Sequence, residues 1–355
     1  MWLVFFISLL CVFLTYLQDT GNLKRGMLLG FIMMTSILSI RYGYGNDFFS
    51  YLDIFNDSKA YDWDQLAIKA QWVEIGWLVL SKLFAPLGFQ CLIAFHTLFL
   101  FCTFYYLINK YVPKGWKWLA VFFVLFNSGI LIIYISMLRQ SLAICFFLLA
   151  VDGALDKKLI KMAVCCALAY VMHHSALIII PFVLFAYFQS GWLTTVAVVS
   201  GIAFMIAVTI NDSLASLILN TALSSVEFLE EEYEHYSDAG SRGSGLGVLL
   251  ELMMFVPALF DYKKYSTKER IVFILFLMNM IVFPLQYVVL MFARIRYYFV
   301  VFGFLFLPFA LKKCSRMEVK YFALGITIFI TLWNYFQFFG DRTFQKAYSV
   351  YHICF

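Results

Sequence analysis

Apolar runs recur along this chain from end to end, at residues 2–17, 26–40, 88–109, 118–136, 138–155, 158–172, 174–188, 191–210, 245–260, 271–291, 297–311 and 321–339. They restrict what it can fold into more than any other feature. Charge is too scarce to offset them: 63% of the 355 residues are apolar and 13% charged, against about 45–50% and about 25% in soluble domains. A water-soluble exterior of this size cannot be covered with so few charges. That excludes a cytosolic enzyme, a nucleic-acid binder and a disordered scaffold. The expected fold is an all-α polytopic membrane protein, one integral membrane domain over 1–355 with about twelve transmembrane helices. Several runs are short, so tilts or bends are expected. The 41 Phe and 22 Tyr suit lipid-facing surfaces and interfacial belts.

A further apolar stretch, 72–86, ends at Pro86-Leu87-Gly88. As a helix it reaches about 22 Å, short of a ~30 Å hydrocarbon core. Positive charge settles its place. If 72–86 is re-entrant or interfacial, five Lys-rich stretches fall on one side: Lys24/Arg25, Lys110/Lys114/Lys117, Lys157/Lys158/Lys161, Lys263/Lys264/Lys268/Arg270 and Lys312/Lys313/Arg316/Lys320. That is the cytoplasmic side by the positive-inside rule, and both termini then lie outside. The outer basic residues are instead mostly arginines: Arg41, Arg139, Arg242, Arg294, Arg296 and Arg342. Topology needs only charge, which Lys supplies. Arg adds a planar fork that grips phosphate bidentately and stays charged when partly desolvated. Their position points to an anion held at the outer surface. Two outer loops, 41–71 and 211–244, interleave acidic residues with aromatics, as sugar-binding surfaces do.

Five short motifs carry the candidate chemistry. Arg41-Tyr-Gly-Tyr44-Gly-Asn-Asp47, followed by Tyr51, ends the second run and sets a cation and a carboxylate in one turn. Glu74-Ile-Gly-Trp77 opens the half-length helix. Arg139-Gln140-Ser-Leu-Ala143 lies where two helices meet with no polar spacer, so Arg139 starts a helix at membrane level. Charges at that depth face a bundle interior or an aqueous cavity. His173-His174-Ser175 lies between two runs on the same face, and imidazole exchanges protons near neutral pH. Arg294-Ile-Arg296 opens the eleventh run, and Glu251 lies inside the ninth, a functional group or the partner of an arginine. There is no P-loop, no HExxH and no metal-type His/Cys spacing, so neither metal nor nucleotide cofactor is expected. Nearly all charge outside the Lys loops sits at one face. That favours an enzyme over a transporter or flippase, which would spread polar groups through the bilayer.

Arg41-x-Gly-x-Gly-x-Asp47 with Tyr51, then Glu74-x-Gly-Trp, Arg139-Gln-x-x-Ala143 and His174-Ser175-Ala176, resembles the EpsG family of bacterial polysaccharide polymerases, related in role to Wzy-type O-antigen and capsule polymerases. The match runs in order over about residues 30–190. It implies a GT-C-like membrane glycosyltransferase of the bacterial inner membrane with its site facing outside. Such an enzyme takes a glycan donor and acceptor linked to undecaprenyl pyrophosphate, alongside a chain-length regulator and a flippase. The roles it implies are a base at His174, with Glu74 and Asp47 behind it, and pyrophosphate contacts from Arg41 and Arg139. Arg242, Arg294 and Arg296 join them on charge and position alone. Tyr44, Tyr51, Gln140, Ser175 and Glu251 are expected to support the site.

Overall fold

A computed structural model describes residues 2–70, 73–189, 196, 200, 246–283, 291–341, 347, 348 and 350–354. It divides into two compact units, residues 1–187 with 331–355, and residues 188–330.

The first unit opens with α1 (Trp2–Asp19) and α2 (Gly26–Ser39). They meet through small residues. A Cβ on Gly30 would lie 3.1 Å from the Cys11 Cα, and Cys11 Sγ donates to the Gly30 carbonyl at 3.0 Å. Close backbone approach is how helices associate when burial from water supplies no drive. The two-residue strand β1 (Arg41–Tyr42) follows, then α3 (Phe48–Ala60), α4 (Trp63–Lys69) and α5 (Ile75–Phe84). The stretch 41–71, expected as a loop, is therefore mostly helical. Asp62 closes a capping box with Gln65 at the start of α4. Next come α6 (Phe89–Tyr111), α7 (Lys117–Phe126), α8 (Ser128–Ile135), α9 (Leu138–Leu155) and α10 (Leu159–Met172). A 3₁₀ turn (His174–Ile179) leads into α11 (Ile180–Phe188).

Hydrogen bonds sort the helix ends of this unit into two groups. At one end the Asp19 carboxylate accepts from the Gly115 and Trp118 amides at 3.2 and 2.9 Å. Lys110 binds Asp152 and Asp156 at 2.6 Å, and Lys161 also binds Asp152. The Lys-rich stretches 110–117 and 157–161 thus lie at one end. At the other end Gln90 donates to the Arg41 carbonyl at 3.0 Å, the Asn46 amide donates to Ser136 Oγ at 3.0 Å, and Glu74 binds Arg139. Helix α5 starts at Glu74 and returns through Gly88 to α6, so both its ends lie there. At about 15 Å it does not run through the unit, in keeping with a re-entrant or interfacial helix.

About twelve transmembrane helices are expected from the sequence, and the described residues show fewer by length and composition. Among the described residues, four helices are long and apolar enough to cross a membrane: α1, α6, α9 and, at 317–340, a C-terminal helix. The number reaches six if two bent pairs each count as one span. The run 118–136 is broken at Asn127, where α7 and α8 meet at 65°. Asn127 is extended and its side chain accepts from the Ile130 amide, an N-cap that starts a new helix. The runs 26–40, 158–172 and 174–188 are helical but short. The run 191–210 and the loop 211–244 lie outside the described residues, apart from 196 and 200.

The second unit holds α12 (Leu246–Met253), α13 (Val256–Asp261), α14 (Thr267–Val282), α15 (Met291–Val300) and α16 (Gly303–Lys313). The last two are bent by 46°. Its two Lys-rich stretches come together: Lys313 binds Glu269 at 2.6 Å, and the Ser315 amide donates to Asp261 at 2.8 Å. Helix α17 (Met317–Gly340) leads back to the first unit, where β2 (His352–Ile353) pairs antiparallel with β1.

Candidate active site

Glu74 is the joint of the candidate site. Its Oε2 accepts from Arg139 Nη1 and its Oε1 from His173 Nδ1. Three elements deliver these groups: the start of α5, the first turn of α9 and the end of α10. Burial would raise the Glu74 carboxyl. The His173 hydrogen bond and the Arg139 charge outweigh it and hold the group down to about 2. Glu74 therefore stays an anion at neutral pH. In the neutral imidazole, the Nδ1–H given to Glu74 leaves Nε2 as the acceptor. Glu74 is 8% exposed, His173 14% and Arg139 26%, so the guanidinium is the most open of the three. Glu74 occupies one of its five donors. Arg139 also lies over the Tyr51 ring, 5.7 Å from its centroid, and Tyr51 packs on Trp77 at 5.0 Å.

Gly76 allows this meeting. A Cβ there would lie 2.6 Å from the Val171 carbonyl and 2.8 Å from Met172 Cε, at the last turn of α10. Gly76→Ala is expected to push α5 off α10, cost about 1–3 kcal/mol by overpacking and separate Glu74 from His173. A lowered melting temperature in detergent checks it.

Arg41, expected as a pyrophosphate contact, is buried completely. Its Nη1 and Nη2 donate to the Leu38 and Ile135 carbonyls, each at 3.3 Å. Those carbonyls belong to the last turns of α2 and α8, whose partial negative charges suit a cation. Arg41 thus ties two helix ends together and does not reach the surface. Tyr44, expected as support, is equally buried, against Tyr348 and Tyr351.

The remaining candidates disperse. Asp47 precedes α3 and is half-buried. Gln140 is buried beside Arg139, and Ser175 is half-buried in the 3₁₀ turn. His174, expected as the base, opens that turn with its ring 5.2 Å from Tyr170, while extended backbone at His173 sends the neighbouring imidazole to Glu74. Arg294 and Arg296 lie within α15 of the second unit, not at the start of a helix. There Arg296 binds Glu251 at 2.8 Å and Asn279 at 2.7 Å over the Phe283 ring, so Glu251 is the partner of an arginine. Arg242 and Arg342 lie outside the described residues. Among those residues no three His, Cys, Asp or Glu side chains gather as a metal site requires.

A protein-family model described as the EpsG family matches residues 25–352. The chain belongs to the EpsG family. EpsG is a family of Wzy-type polysaccharide polymerases. No curated protein and no solved structure matches the chain. The EpsG-like motifs Arg41–Asp47, Glu74–Trp77, Arg139–Ala143 and His174–Ala176 all lie at one end of the first unit. What motif reading missed in this EpsG protein is His173 and the anchors Ser136 and Tyr348. The adjacent pair His173-His174 was visible in the sequence, but which ring turns to Glu74 depends on where α10 stops.

Proposed function

We propose that this EpsG-family protein polymerises oligosaccharide repeat units carried on undecaprenyl pyrophosphate, at the outer face of the bacterial cytoplasmic membrane. The observation that supports the reading most is Glu74 bridging Arg139 and His173. The acceptor hydroxyl gives its proton to His173 Nε2 as its oxygen attacks the anomeric carbon of the donor sugar. The bond from that carbon to the pyrophosphate oxygen breaks. Arg139 meets the charge that grows on the leaving lipid pyrophosphate, as preorganised cations do in phosphoryl leaving-group chemistry. Glu74 fixes the imidazole tautomer and orients both partners. Its own carboxylate, held near pKa about 2, is too weak a base at neutral pH to compete. A guanidinium can supply this charge without a metal ion.

The test is reconstitution. Purified protein in liposomes, given a lipid-pyrophosphate-linked oligosaccharide, is expected to yield a ladder of lengthened glycans that persists in EDTA. Release of free lipid pyrophosphate should match each glycosidic bond formed. Transbilayer movement of the substrate without lengthening would make the protein a flippase and overturn the proposal.

A further inference from the structure

Residues 135–139, at the junction of α8 and α9, carry Arg139 into the site and are held from several sides. Arg41 grips the Ile135 carbonyl at 3.3 Å. The Asn46 amide and Tyr348 hydroxyl both bond Ser136 Oγ. The Tyr51 hydroxyl accepts from the Arg139 amide at 3.5 Å. From below, Ser141 Oγ donates to the Leu138 carbonyl at 2.7 Å and also bonds His96 Nε2. His96 is fully buried on α6.

Ser141 Oγ stands between His96 Nε2 and the Leu138 carbonyl, and where the single hydroxyl proton goes to Leu138, His96 is the donor through Nε2. Nδ1 has no hydrogen-bond partner among the described residues. A buried histidine costs more than an aliphatic side chain of similar size unless its polar atoms are used. Packing alone would be served better by Leu. We infer that His96 is a positioning residue: through Ser141 and the Leu138 carbonyl it fixes the first turn of α9, and so the direction of the Arg139 guanidinium. It touches no reacting group. The inference rests on the proposed role of Arg139, but its first readout does not.

The experiment pairs hydrogen exchange with polymer assays on full-length protein. His96→Leu and Ser141→Ala are each expected to speed exchange of the 141–145 amides about tenfold by opening this turn. Each is also expected to slow polymerisation about 10–100-fold, since misplacement of about 1 Å is worth that much, with little change in KM. His96→Gln places an amide donor where Nε2 stands and is expected to restore both within about threefold, a residual allowed for its floppier chain. The double variant His96→Leu/Ser141→Ala is expected to be no worse than either single one, because one chain of bonds is cut once. Exchange unchanged in His96→Leu, or His96→Gln no better than Leu, overturns the inference, as does open exchange with full polymer yield. If wild type makes no polymer from lipid-linked units, the proposed function falls, and the exchange arm still decides whether His96 holds the turn.

Discussion

Arg139→Lys is expected to lower polymer formation roughly 100–1,000-fold, the loss of about 2.7–4 kcal/mol that follows removal of one preorganised charge-stabilising contact. Lysine is the informative replacement. Removing the Arg139 charge outright leaves the buried Glu74 carboxylate with the His173 imidazole as its partner, and removing Glu74 strips Arg139 of its anion. Breaking a buried pair costs about 3–5 kcal/mol and confuses function with folding. Lysine keeps the charge and can still meet Glu74. It loses the planar fork that spans Glu74 on one edge and a phosphate on the other. Membrane levels and melting temperature should stay near wild type while the ladder shrinks. A full ladder from Arg139→Lys would reduce this residue to an interfacial anchor.

The second large effect separates two adjacent histidines. His173→Ala is expected to cost about 10²–10⁴-fold in rate, the usual loss with a general base, while lipid-linked donor still binds. His173→Gln should be as poor, because an amide can bond Glu74 but cannot accept a proton. His174→Ala should remain within severalfold of wild type, since that ring lies against Tyr170. The reverse ranking would return the base to His174, the residue favoured by the motif. Polymer lengths after single turnovers distinguish the two outcomes.

The sequence carried the membrane class, the segregation of Lys from Arg and the short helix after Glu74, because each is written in composition or in a local run. The Lys stretches of the first unit do gather at one end, and α5 does begin and end at the other. The helix interruptions were less legible. Asn127 sits in a run apolar enough to read through, and only its side-chain cap on Ile130 reveals a second helix. The surroundings of Arg41 were less legible for a related reason. Its residue type and position suit an anion, but its surroundings come from α8 and from residues 348–351, which no local pattern places beside it. The choice between His173 and His174 turns on one extended residue at the end of α10. His96 gave no sign at all, since a lone histidine within an apolar run looks like any other.

The pairing of β1 with β2 also has a bearing on how the protein is made. Ser136 meets Tyr348 across 212 positions of sequence, and Tyr351 closes on Ile37 across 314. Contacts so distant along the chain form late, because the loop between them must first be closed. During synthesis Arg41 therefore enters the membrane without the aromatic roof that later seals it. The turn bearing Arg139 gains the Tyr348 bond to Ser136 only once that segment has emerged, and the Cys354 amide then reaches the Ile40 carbonyl. A nascent chain thus lacks these contacts at the Arg139 end until the segment 348–354 has been made.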